Sequence, residues 1–167
     1  MITLKPKRIA QISALTAMAL TVHIIEGCIP PLVAVPGVKL GLANSVTLAA
    51  LYLLYPTDVF LIVVIRVLLG SIFAGRPISF IYSASGSIAA YFVMLAMHKR
   101  VKLNKIWAVS VCGAVANSLF QVLAAAVMLK STSVFYYLFP LTAVSVLCGA
   151  FTGIIAQNVV IRMAKFN

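Results

Sequence analysis

From Trp107 to Leu129 the chain runs without a charged side chain, and five other stretches have the same character: about Ile9–Ile25, Leu40–Leu54, Val59–Ala74, Ile78–Met97 and a last one closing near Ile161. Arg66 is the single basic interruption of these runs. A helix needs about 20 residues to cross the hydrocarbon core of a bilayer. Of the 167 residues, 63% are hydrophobic and 9% are charged, against roughly 45–50% and 25% in soluble domains. A small domain leaves much of its surface wet and could not hide that excess. The sequence therefore predicts an all-α integral membrane protein, a single transmembrane domain over 1–167 with about six transmembrane helices.

Charge supplies the orientation. Thirteen Lys and Arg face two Asp and Glu, a formal net charge of +11. The cations gather at span ends, which the positive-inside rule explains without nucleic acid. With six spans, Lys5, Lys7, Arg8, Lys99, Arg100, Lys102, Lys105, Arg162 and Lys165 share one side, and Lys39, Arg76 and Lys130 the other. Both termini are thus expected to be cytoplasmic, with an uncleaved first span rather than a signal peptide. Trp107 and the Phe135–Phe139 aromatics are expected to mark interfaces.

Against this background one stretch stands out, Pro36-Gly37-Val38-Lys39-Leu40-Gly41-Leu42-Ala43-Asn44. It joins a greasy, proline-stiffened loop (26–37) to span 2, putting Lys39 at the outer rim of a pocket and Asn44 at most about two helical turns deeper. Arg66, in the middle of span 3, costs roughly 2.5–3.5 kcal/mol if it faces lipid, so it should meet a partner, a hydrated cavity or an anionic ligand. Asn117 and Gln121 share one face of span 5, as Asn44 and Thr47 share one of span 2. Amides in such positions either glue helices or fix a ligand. Ala10 and Ala14 have the small-xxx-small spacing that admits a second helix, whether from this chain or from another subunit. Asp58, after the Tyr55-Pro56 turn, is expected to cap span 3.

Short matches between Gly41–Ser45 and Gly113–Ser118, and between Val67–Gly70 and Val146–Gly149, hint at a three-plus-three inverted repeat. No catalytic carboxylate pair, Ser-His-Asp set, Cys-His pair or nucleotide loop is visible. The scattered Cys28, Cys112, Cys148, His23 and His98 form no metal motif. No metal or other cofactor is expected, and no enzymatic activity of the chain's own.

The PGVKLGLAN stretch, together with Arg66-Val67-Leu68-Leu69-Gly70 and Ser85-Gly86-Ser87, resembles the bacterial Gx transporter family, often labelled heptaprenyl diphosphate synthase component I. Span 5 departs from the family pattern, carrying Ala116-Asn117 and Phe120-Gln121 where His-Asn and Gly-Gln are usual. The resemblance implies a multi-pass protein of the bacterial cytoplasmic membrane, similar to the substrate-binding S-components of energy-coupling factor transporters. Such a subunit would bind a vitamin-like small molecule beneath the loop before span 2, and dock through Ala10 and Ala14 on a coupling module with ABC-type ATPases. The synthase label implies another role, as the non-catalytic membrane partner of a soluble prenyl transferase. On the importer view Lys39, Asn44, Arg66, Asn117 and Gln121 are the expected ligand-binding residues; on the other, the bundle holds a prenyl chain and Arg66 or Lys39 meets its diphosphate.

Overall fold

The computed structural model describes residues 6–28, 39, 41–75 and 77–164. These form six α-helices: α1 (Pro6–Cys28), α2 (Asn44–Leu53), α3 (Pro56–Ala74), α4 (Pro77–His98), α5 (Ile106–Leu129) and α6 (Leu138–Ala164). Short 3₁₀ turns at Leu103–Lys105 and Thr132–Tyr137 lead into α5 and α6. There is no strand among the described residues, and five of the helices are long and apolar enough to cross a membrane.

The sixth helix, α2, departs from the expected span. It has 10 residues, about 15 Å at 1.5 Å per residue, roughly half a hydrocarbon core. Apolarity alone placed its start near Leu40, a position outside the described residues, as is most of the expected 26–37 loop. Gly41, at φ +81°, lies in the left-handed region where a helix cannot propagate. Leu42 and Ala43 turn, and the helix begins at Asn44. Glu26, expected at the start of the loop, belongs instead to the last turn of α1.

This half-length helix is the hub of the bundle. It touches all five of the other α-helices and buries Asn44, Thr47, Leu48, Ala49, Ala50 and Leu51. Leu48 joins Ile62, Val63, Met94, Ile106 and Val109 in the main apolar core. The tightest packing runs along α4, α5 and α6, where glycines replace side chains at the contacts. A Cβ on Gly153 would lie 2.6 Å from Ser110 Cβ and 2.8 Å from Trp107 Cα, and one on Gly86 would lie 2.8 Å from the Asn117 carbonyl oxygen. Between lipid-solvated helices such close approach is a main source of association energy.

One end of the bundle is tied by polar contacts between helix ends. Arg8 donates from Nε and Nη2 to the two carboxylate oxygens of Asp58, both at 2.7 Å, and stacks 4.8 Å from the Tyr55 ring centroid. Tyr91 Oη donates to the Pro56 carbonyl, and Tyr52 Oη to that of His98. The expected cap is therefore absent: Tyr55 is the N-cap of α3 and makes no side-chain cap bond, because the Asp58 carboxylate is engaged by a two-pronged, charge-assisted pair with Arg8. Trp107 N–H meets Gln157 Oε1 at the same end, so α1 begins and α6 finishes on one side of the bundle. Trp107, Tyr136 and Phe139 are exposed, as interfacial aromatics should be.

Replacing Gly153 by Val should cost about 1–3 kcal/mol by forcing α6 off α5. Ile154→Val, on the exposed face of α6, should change stability by less than about 0.5 kcal/mol. Reversible unfolding in mixed micelles compares the two.

Candidate functional site

Polar groups inside a membrane bundle need partners from the protein itself, and here they collect around the start of α2. The turn that starts α2 satisfies itself in part: Asn44 N–H donates to the Gly41 carbonyl and Ser45 N–H to that of Leu42, while the N-cap residue Ala43 makes no side-chain cap bond. Ahead of that turn, the Glu26 carboxylate from the end of α1 accepts a hydrogen bond from Gly41 N–H. It is 5% exposed, so its charge is balanced inside the protein. Lys39 and Arg66 both act on it electrostatically, and the positive end of the α2 dipole faces it.

His23 is one turn before Glu26 on the same face of α1. Its Nε2 lies 2.7 Å from Lys39 Nζ. The ring fits because position 70 on α3 is glycine: a Cβ there would overlap the ring carbon Cδ2 and sit 2.7 Å from Nε2. Lys39 is also held by its backbone. Its N–H donates to Gln121 Oε1 at 2.7 Å and its carbonyl accepts from Gln121 Nε2 at 3.1 Å, so the side-chain amide of Gln121 pairs with the Lys39 backbone as another peptide group would.

One helical turn closer to the tied end, Asn117 and Asn44 flank Gly41. Their Nδ2 atoms lie 2.7 and 2.9 Å from where a Gly41 Cβ would be. Asn44 Oδ1 accepts from Arg66 Nη2 at 3.2 Å. Arg66 is 1% exposed, Asn117 1% and Asn44 5%. Even so, three donor atoms in this knot have no hydrogen-bond partner among the described residues: Arg66 Nε, Asn44 Nδ2 and Asn117 Nδ2. Leaving a buried donor unmet costs about 1–3 kcal/mol, and all three point to the same complement, an acceptor-rich or anionic group.

All five residues expected to bind a ligand thus converge. Lys39 pairs with Gln121, and Asn44, Arg66 and Asn117 gather one turn closer to the tied end. Lys39 was expected at the rim of a pocket; its Nζ meets the buried ring of His23. Beside Asn44 runs a narrow seam with no room for a water molecule, bordered by Gly41, Leu42, Ser110, Ala114, Cys148 and Gly149. Ala10 and Ala14, on the other hand, contribute nothing to the site and lie exposed on the outer face of α1. Phe120 is exposed and Ala116 is buried. Tyr82 packs with Val122, Ala125 and Leu141.

Four participants were not among the residues expected to bind a ligand: His23, Glu26, Gly70 and Gly86. Their signal was present. His23 and Glu26 stand three apart on an otherwise apolar helix, and ionisable groups so placed turn inward. No group of three or more His, Cys, Asp or Glu suited to a metal occurs among the described residues.

Gly41→Ala and Gly75→Ala separate strain from crowding. Gly75 is also left-handed, at φ +60°, but has open space around its Cβ position. Its alanine variant should cost only the backbone term, about 1 kcal/mol. Gly41→Ala should cost at least about 2 kcal/mol, because the new methyl also displaces two buried amides. Paired unfolding curves would show the difference.

Comparison with known proteins adds one finding. The family model for heptaprenyl diphosphate synthase component I matches residues 15–159, a range that includes every site residue above. No curated protein and no solved structure matches the chain.

Proposed function

Because the chain belongs to the heptaprenyl diphosphate synthase component I family, we propose that it is the non-catalytic membrane component of a polyprenyl diphosphate-forming system and holds an anionic, prenyl-type ligand. The carrying observation is the trio of buried, unpartnered donors on Arg66, Asn44 and Asn117. A diphosphate presents oxygen acceptors to all of them, and guanidinium is the side chain best suited to phosphate. The cluster supplies two cations, Lys39 and Arg66, against the single carboxylate of Glu26, so an anion entering it finds a positive surplus. The apolar bundle and the surrounding lipid accommodate the prenyl chain. The chemistry itself falls to a soluble prenyl transferase partner, as this chain has no carboxylate pair to hold the magnesium such enzymes use. Charge distribution orients the tied end, with Lys7, Arg8 and the 99–105 basic segment, toward the cytoplasm, where that partner resides.

A second reading rests on a different observation. Helix α2 starts inside the bundle with its positive end at the polar cluster, the broken-helix arrangement by which transporters hold anionic substrates. Ala10 and Ala14 meanwhile present a small-residue face with no partner helix in the described bundle. Together they suit the substrate-binding subunit of an importer that docks on a separate energy-coupling module with ABC-type ATPases.

Native mass spectrometry and pull-down distinguish the two. Retention of heptaprenyl diphosphate, and co-purification of a soluble prenyl transferase, support the first reading. Retention of a small water-soluble molecule together with ABC-type ATPases supports the second and removes the first. Under either, Arg66→Ala should weaken ligand retention by at least about 100-fold, the scale for losing a buried charged hydrogen bond, while the protein still inserts. Ala14→Leu should leave binding unchanged and, under the second reading alone, abolish uptake.

A further inference from the structure

We infer that the cavity between the first turns of α1 and the end of α2 seats the head group of an anionic glycerophospholipid from the cytoplasmic leaflet. The cavity has a volume of about 490 Å³, with Lys7, Arg8 and Gln11 on one side and residues 52–55 on the other. That is within the usual size of a ligand site. It lies at the tied end of the bundle and shares no residue with the Arg66 cluster. Its walls are fixed by contacts to other helices. Arg8 is clamped through Nε and Nη2 by the two carboxylate oxygens of Asp58 and lies over the Tyr55 ring. Tyr52 is held by its bond to the His98 carbonyl and by an edge-on contact with the His98 ring. Leu53 and Leu54, both half-buried, make one side apolar. Lys7 and Gln11 are exposed one helical turn apart, and neither makes a hydrogen bond or ion pair with another described residue.

Charge selects the ligand. Arg8 and Asp58 cancel each other, so Lys7 leaves the cavity with a surplus of one positive charge. A phosphodiester carries one negative charge and matches it, whereas a diphosphate carries more than the cavity can offset. Lys99 and Arg100, exposed directly after the His98 that Tyr52 holds, add to the positive field on this side. A basic pocket at the cytoplasmic ends of membrane helices is the setting in which anionic head groups are recognised, and the charge-based orientation of the tied end places it there. Tyr52 and Tyr55 pair an apolar ring with a polar tip, as suits the same depth. The acyl chains also have a path. Beyond Lys7 and Gln11 the same stripe of α1 continues through Ala14 and Met18, both exposed, so a chain leaving the cavity runs along an apolar track toward the bilayer centre.

This inference stands apart from the ligand of the Arg66 cluster, and the test keeps the two separate. The full-length protein in detergent, at about 0.15 M salt, receives equal amounts of palmitoyl-oleoyl phosphatidylglycerol and phosphatidylcholine, and native mass spectrometry reads the first lipid bound. At that ionic strength charges more than about 8 Å from the lipid are largely screened. Phosphatidylglycerol should be preferred at least about 10-fold, the scale of a charge-assisted hydrogen bond. Lys7→Gln should bring the two lipids close to parity. Gln11→Trp, which fills the cavity without changing its charge, should do the same. Lys102→Gln, a cation at the same end but outside the cavity, should keep the preference within about 3-fold, and Arg66→Ala should leave it unchanged. Equal losses in Lys7→Gln and Lys102→Gln would reveal diffuse attraction and overturn the inference. An unaltered preference in Gln11→Trp overturns it as well, even where Lys7→Gln does not insert. Loss of phosphatidylglycerol in Arg66→Ala would move the lipid to the deep cluster, and displacement by an equal amount of farnesyl diphosphate would give the cavity to a prenyl ligand; either result sinks the lipid site.

Discussion

A carboxylate at the end of one helix meets the buried turn that starts another, and the interior of the bundle is arranged around that meeting. Helix α2 begins in the middle of the protein, where Asn44 and Ser45 N–H fold back on the Gly41 and Leu42 carbonyls and the Gly41 N–H needs a partner from elsewhere in the protein,. Glu26 provides an acceptor and a negative charge at the positive end of the helix,. That anion then requires cations nearby, which Lys39 and Arg66 supply. Their placement in turn fixes what accompanies them: His23 against Lys39, Gly70 to admit His23, Gln121 to hold the Lys39 backbone and Asn44 to anchor Arg66. A half-length helix in hydrocarbon thus recruits a polar interior, with donors left over at Arg66, Asn44 and Asn117.

The architecture was readable because lipid imposes a simple rule on composition. Five long helices follow from five apolar runs, and the ends of α3, α4 and α5 fall within a few residues of where apolarity, proline and the 98–105 charge run put them. Convergence of Lys39, Asn44, Arg66, Asn117 and Gln121 was also readable, since polar groups in a greasy bundle have few places to go. What escaped was three-dimensional. Hydropathy could not reveal that α2 would be half-length, because Leu42 and Ala43 are as apolar as the residues that follow them; the stop signal is the backbone of Gly41. Asp58 looked like a cap because capping is a local rule, whereas its partner Arg8 lies 50 residues away. The role of Glu26 was hidden in the same way, for its hydrogen-bond donor is a backbone group on another segment.

Glycine explains how so many polar groups fit into so little space. Gly41, Gly70 and Gly86 each lie where a methyl group would collide with a site side chain: the Asn44 and Asn117 amides, the His23 ring, and Gln121 with Asn117, respectively. The cluster is thus built as much from missing side chains as from present ones. Its geometry is set by backbones of α3 and α4 that approach to within a side chain's width, which makes it stiff on those two sides. On the third side, Lys39 and Gly41 border it through hydrogen bonds to Gln121 and Glu26 and the contact with His23.

Helix α1 is attached in an unusual way. It buries only Ile12, Ala19, His23 and Glu26 and packs chiefly on α3, with the Arg8–Asp58 pair near one end and the His23 contact with the Gly70 slot near the other. Most of its hold on the bundle is therefore polar rather than a matter of apolar area. Polar bonds strengthen where water is absent and fade where water competes. The surrounding medium thus becomes a structural variable: α1 is gripped firmly in a thick, dry bilayer and loosens first in a thin or well-hydrated one. Membrane thickness and the choice of solubilising detergent would change the polar interior before they changed the fold.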